Sequence, residues 1–208
     1  MKPFMIGLTG QTGAGKTTAA KVMTEAYGEE LLPHIDCDRA TRNILTEDEE
    51  AREDIMRQFP EFFTDGAFDR RKAAALLFSD KALLARYDAA IFPHITRRIN
   101  ALIGEIGRKF AESGEGMILL DAPTLFEAGI DSICDVIVSC IAPAELRMER
   151  IIARDGVTPE QAAARIASQH SDEFFRERSD YVIENMGDEQ ALKDAALSVI
   201  DEIVQSAV

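Results

Sequence analysis

Gly7-Leu8-Thr9-Gly10-Gln11-Thr12-Gly13-Ala14-Gly15-Lys16-Thr17-Thr18 decides how the rest of the chain is read. Residues 10–17 satisfy G-x-x-x-x-G-K-[ST], a spacing that lets a backbone wrap around phosphate oxygens. The apolar run Phe4 to Thr9 before it reads as a strand buried on both faces, and Lys16 to about Ala26 after it as a helix. That context is what the chemistry requires. Glycines allow successive N–H groups to turn inward, and the opening helix adds partial positive charge. Lys16 then reaches the β- and γ-phosphates, and the Thr17 hydroxyl is a ligand for Mg²⁺.

Working outward, strand and helix signals alternate. Leu32 to Asp36, Met117 to Asp121, Asp135 to Ile141 and, more weakly, Tyr181 to Ile183 read as strands. Pro143 to Arg154, Pro159 to about His170 and Glu189 to Gln205 read as helices. The alternation predicts an α/β fold, a parallel sheet with helices on both faces joined by right-handed crossovers. One stretch breaks the rule. From about Asp48 to Phe110 every segment reads as helical, with Ile95, Ile99, Leu102, Ile103, Ile106 and Phe110 on one stripe and the turn Thr64 to Arg71 as punctuation. The expectation is one 208-residue domain with a helical insertion over about 48–111. The acidic run Glu47 to Glu50 reads as a solvated helix start.

Composition narrows the function. The 208 residues are 46% hydrophobic and 29% charged, the make-up of a soluble globular chain. Twenty-three Lys plus Arg against 37 Asp plus Glu leave a net charge of −14, which argues against a general nucleic-acid or anionic-membrane binder. No apolar run is long enough to span a bilayer, and MKPFMIGLTG is interrupted too soon to be a secretory leader. Cys37, Cys134 and Cys140 form no CxxC pair, so thiols are expected rather than a disulfide or a zinc site. The chain reads as cytoplasmic.

A phosphate loop names a nucleotide, not a reaction. An N-K-x-D-like base-reading motif of a GTPase-type switch is not found. A small-molecule kinase needs a carboxylate near the acceptor hydroxyl, cations for the transferring phosphoryl group and a cover against water. Asp36 and Asp38 end the second strand, at the sheet edge where ligands of open α/β folds collect. Asp121 ends the third, where it either holds the metal's water shell or caps the next turn. Arg147, Arg150, Arg154 and Arg165 surround the turn Asp155-Gly156-Val157-Thr158 between two helices, a candidate phosphate-facing lid over about 147–170. Thr158 with Gln161 fits a helix-capping start.

Six landmarks in order then resemble one family, dephospho-coenzyme A kinase. They are Gly7 to Thr18, IDCDRATR (Ile35 to Arg42), DGAFDRR (Asp65 to Arg71), DAPTLFE (Asp121 to Glu127), RIIARDGVTPEQAAARIASQ (Arg150 to Gln169) and SDYVIENMG (Ser179 to Gly187). The resemblance implies a P-loop NTPase sheet with a helical acceptor-binding insertion and a helical lid. It implies ATP with Mg²⁺ as donor and the ribose 3′-hydroxyl of dephospho-CoA as acceptor, the last step of CoA synthesis. Asp38, Lys16, Arg150 and Arg154 would then be catalytic. ATP would meet Gly13, Ala14, Gly15, Lys16, Thr17, Thr18, Arg154 and Asn185, and the acceptor Asp38, Arg42, Glu127, Arg165 and Gln169. The metal would lie at Thr17 and Asp121. Two positions depart from the family pattern: Phe92-Pro93 stands for a usual His-Pro, with His94 beyond it, and Phe175 for a basic residue, with Arg176 beside it. A kinase for another hydroxyl acceptor, or a P-loop ATPase or switch binding a protein, are the alternatives. A monomer or weak homo-oligomer acting on small molecules is expected.

Overall fold

A computed structural model of the chain describes residues 3–113 and 116–207. The outermost positions of the expected 1–208 domain, and the first two residues of the amino-terminal run, lie outside the described residues. The chain divides into two compact units, residues 1–36 with 105–208, and residues 37–104.

In the first unit, β1 (Phe4–Gly10) leads through the phosphate loop into α1 (Lys16–Tyr27) and β2 (His34–Asp36). After the second unit come β5 (Met117–Asp121), β6 (Val136–Ile141), α7 (Ala144–Asp155), α8 (Pro159–Ala167), α9 (Asp172–Arg178), β7 (Tyr181–Glu184) and α10 (Glu189–Ala207). The sheet runs β2-β5-β1-β6-β7, every pairing parallel. Ile6 and Leu8 of β1 and Leu119 of β5 are wholly buried, as strands covered on both faces must be. On one face Ala19, Ala20 and Met23 of α1 meet Leu192, Ala196, Ile200 and Ile203 of α10. Because β2 and β5 lie to one side of β1 and β6 and β7 to the other, the crevice at the end of β1 is the switch point where such sheets bind ligands. Burial pushes the Cys140 thiol of β6 up to about 12.

The second unit holds α2 (Cys37–Thr41), α3 (Ile44–Glu47), α4 (Glu49–Gln58), the hairpin β3 (Phe63–Thr64) and β4 (Ala67–Phe68), α5 (Arg70–Ser79) and the greater part of α6 (Lys81–Ser113). Asp48 to Glu50 of the acidic run start a helix as expected, Asp48 accepting the Ala51 N–H at 3.0 Å with Glu49 and Glu50 in the first turn, whereas Glu47 ends α3. The turn expected in an all-helical stretch is instead a short antiparallel hairpin. Asp65 and Gly66 both take positive φ, the two-residue loop such a hairpin favours. Phe63 and Phe68 face each other across it with ring centres 5.5 Å apart. Phe59 and Phe62 stack beneath Tyr87 as the unit's core.

Two boundaries differ from expectation near the end of the first unit. The helix expected to reach His170 stops at Ala167, and α9 was not foreseen. Ser171 explains both, since its hydroxyl accepts the Phe174 N–H and starts a new helix, leaving Gln169 and His170 in the link between.

Candidate active site

The loop owes its shape to glycines whose surroundings admit nothing larger. Gly10 has φ of 137°, and a Cβ there would strike the Cys140 backbone. Gly13 has φ of 79° and lies against the Arg147 backbone, where a Cβ would come within 3.1 Å of its Cα. Gly15 has φ of 99°, and a Cβ would meet the Asn185 amide at 2.5 Å. Gly15 is also the N-cap of α1 and brings no side-chain acceptor, so the first N–H groups of the helix are left to whatever the loop holds.

At the mouth of the loop the Lys16 ammonium pairs with Asp121 Oδ1. His34 Nε2 stands 3.6 Å from the other oxygen, Oδ2. Burial by itself would raise the Asp121 carboxyl, but the imidazole and the ammonium outweigh it and hold the group below the usual carboxylate range. Asp121 is thus an ionised carboxylate, 4% exposed, bound to the motif lysine. Asp36 is its register partner across the β2–β5 ladder. Thr17 is exposed in the first turn of α1, with Thr18 half-buried beside it.

The arginines divide. Arg150 donates to the Gly13 carbonyl at 3.0 Å and to Asn185 Oδ1 at 3.2 Å, and Asn185 donates in turn to the Ala14 carbonyl at 2.9 Å. Arg147 is buried behind the loop. It bonds the Thr12 carbonyl at 3.1 Å and Gln169 Oε1 at 2.9 Å. Only Arg154 and Arg165 sit at the hairpin turn, and both grip Asp155. Arg154 does so with two bonds of 2.7 and 2.9 Å, Arg165 with one of 2.6 Å. The expected cluster of four about one turn is therefore two pairs with different neighbours. The turn itself is as expected, with Gly156 at φ 63° closing α7 and Thr158 and Gln161 forming a capping box for α8.

Gln169 Oε1 accepts the Thr12 N–H at 3.0 Å. Glu127 stands 3.2 Å from His170 Nε2, whose ring stacks on Phe174. Phe175, in place of a basic residue, is buried among Phe126, Phe174 and His170. In the second unit Asp38 is exposed in the first turn of α2, and Arg42 directly follows that helix, its carbonyl accepting from Arg70. His94 is 8% exposed and bonds Asp54 at 3.1 Å, a packed histidine of that unit's own fabric. Sequence reasoning missed His34 and the buried position of Arg147. The second had a signal: Arg147 and Ile151 are four apart on α7, so a buried Ile151 turns Arg147 inward.

A family model described as dephospho-CoA kinase matches residues 4–191. The chain belongs to the dephospho-CoA kinase family. A dephospho-CoA kinase of Deinococcus radiodurans is 38% identical over 202 residues, covering 96% of this chain and 93% of that one. The solved structure of TT1252 from Thermus thermophilus superposes with a TM-score of 0.76 at 33% identity, over 97% of this chain and 98% of the other. A shikimate kinase from Acinetobacter baumannii, at 20% identity and a TM-score of 0.51 over 98% of this chain and 94% of its own, shares the fold alone. This is a P-loop kinase fold and an ATP-using kinase family, the family that the six landmarks resemble. Among the described residues no helix is long and apolar enough to cross a membrane.

Proposed function

We propose that the protein transfers the γ-phosphoryl group of ATP to the ribose 3′-hydroxyl of dephospho-CoA, giving CoA and ADP. The observation that carries this reading is the Lys16–Asp121 pair at the switch point of a parallel sheet, in a chain of this family. Thr17 and Asp121 offer the hard oxygen donors that Mg²⁺ takes, and Asp121 is held in its ionised form. When bound there, Mg²⁺ neutralises charge on the donor's phosphate oxygens. Lys16 exchanges Asp121 for the β- and γ-phosphates, so its charge is delivered with the nucleotide.

Asp38 accepts the proton of the 3′-hydroxyl as its oxygen bonds to phosphorus and the bond to the β-phosphate bridge breaks. Gly13 to Thr18 cradle the phosphates, and Asn185 and Arg150 border the nucleotide. Arg154 and Arg165 leave Asp155 for phosphate oxygens when the hairpin closes, since a carboxylate gripped by two guanidinium groups offers the same acceptor geometry as a phosphate. Arg42 and Glu127 face the acceptor, while Gln169, first expected to do so as well, braces Thr12 of the loop together with Arg147. The reading carries with it a cytoplasmic enzyme for small molecules, with no nucleic-acid or membrane partner, as a monomer or weak homo-oligomer. Incubation with Mg·ATP and dephospho-CoA tests it: mass detection should find a product heavier by one phosphoryl group, formed with one ADP. ADP release that ignores the acceptor would overturn it.

A further inference from the structure

Three successive carbonyls of the phosphate loop are each held from outside by a side chain. Arg147 Nε bonds Thr12 at 3.1 Å, Arg150 Nη1 bonds Gly13 at 3.0 Å and Asn185 Nδ2 bonds Ala14 at 2.9 Å. In a trans peptide the carbonyl and the N–H that follows it point in opposite directions. Holding the Thr12 and Ala14 carbonyls outward therefore aims the Gly13 and Gly15 N–H groups at the concave side, where phosphate oxygens would lie.

Arg147 does more than the other two. Its guanidinium also bonds Gln169 Oε1 at 2.9 Å, and that same oxygen accepts the Thr12 N–H at 3.0 Å. Both backbone groups of Thr12 are thus engaged by one Arg–Gln pair. Arg147 lies on α7, where the helical hairpin leaves the core, and Gln169 follows α8, where it returns. The pair clips both ends of the hairpin to one residue of the loop. Arg147 is 3% exposed, and the groups it bonds are neutral, so a buried positive charge stands directly behind the phosphate cradle. Burial depresses its pKa even though the Asp172 carboxylate nearby pulls the other way, so keeping the charge there has a cost that Asp172 only partly offsets. A neutral side chain would fill the space without that cost.

We propose that Arg147 is a positioning residue for the donor's phosphates: through Thr12 and Gln169 it fixes the loop's outer face and the roots of the hairpin, and its charge biases the cradle toward a polyanion. This rests on the reading of the loop as the ATP site. The test measures Mg·ATP affinity by calorimetry, without acceptor, alongside Tm, for Arg147→Met, Arg147→Lys and Gln169→Ala. Arg147→Met should weaken binding about tenfold or more, the order of one lost charge-assisted hydrogen bond. Arg147→Lys should recover part of that loss while its Tm stays as low as that of Arg147→Met, because charge is restored and the paired bonds are not. Gln169→Ala should weaken binding severalfold. Wild-type affinity in Arg147→Met with only Tm lowered would overturn the proposal. Should neither Arg147 variant fold, wild-type affinity in Gln169→Ala would overturn it equally. A wild-type protein that does not bind Mg·ATP would instead fail the underlying reading, and the proposal with it.

Discussion

Arg147 and Arg154 lie seven residues apart on one face of one helix, yet they occupy different media. Arg147 is 3% exposed and bonded to backbone and amide, whereas the Arg154 side chain is 62% exposed and bonded to a carboxylate. Removing a partner from a buried charge costs about 3–5 kcal/mol, while an exposed ion pair contributes about 1 kcal/mol or less. The root of the hairpin is consequently fixed and its tip is free to exchange partners. A site that held phosphates in one geometry and still admitted substrate would need both properties, and α7 carries one at each end.

The largest expected effect lies in the phosphate loop that the fixed root braces. Lys16→Ala removes the cation that offsets charge on the transferring group, and kcat should fall about 100–1000-fold with the circular dichroism spectrum unchanged. A variant retaining more than about a tenth of wild-type kcat would break the assignment of the loop to the phosphates. The same contrast divides two carboxylates. Asp36 is half-buried in register with Asp121, while Asp38 is exposed on the first turn of α2. Asp38→Asn keeps any hydrogen bond that supports the helix start but cannot take a proton. We expect kcat to fall about 100-fold or more, with ATP affinity and Tm nearly unchanged. Near-normal kcat would leave Asp38 a structural role and move the base to Asp36 or Asp121.

What the sequence could and could not disclose follows the same division. The alternating strands, the loop and its helix were legible because local pattern and tertiary position agree there: Phe4 to Gly10 is apolar because both its faces are covered. The helical stretch was legible as helix but not as hairpin, because β3 and β4 are two residues each, too short for any alternation to register. At the site, the motif placed Lys16 and Thr17 by rule. The partition of the arginines escaped, since a charge count around a turn does not say which way each side chain points. Asp155 escaped as well: an Asp after an Arg is an ordinary surface pair until Arg165 is found on the same oxygen as Arg154.

Amide exchange reads the difference between root and tip directly, with an effect of intermediate size. Across Arg147 to Gln169, amide hydrogen exchange should slow when Mg·ATP and an acceptor analogue bind. The slowing should concentrate between about Ile152 and Arg165 and leave the roots little changed. The roots keep the partners they have, and the tip exchanges Asp155 for phosphate oxygens only on closure. Uniform slowing from root to tip would mean that the whole hairpin orders together and that the two ends do not differ.

The smallest effect is the most specific to the tip. The Arg154 guanidinium, with Arg165 beside it, holds the Asp155 carboxyl below the usual carboxylate range. A carboxyl whose folded pKa is depressed stabilises the fold fully above the unfolded value of about 4, and loses that contribution as pH falls through the folded one. Asp155→Asn should therefore lower stability at pH 7 by about 1 kcal/mol or less, because the pair is solvated. The gap between wild type and variant should close as the solution is acidified below the usual carboxylate range. At the same time two guanidinium groups lose their internal partner, so Mg·ATP has less to displace and its affinity should rise, by no more than about fivefold for a pair worth about 1 kcal/mol or less. A rise of that size with the expected pH dependence would make Asp155 a stand-in for phosphate that the donor must replace. A fall in affinity would mean that its carboxylate aligns Arg154 and Arg165 for the nucleotide, and that the tip, like the root, is held in place before substrate arrives.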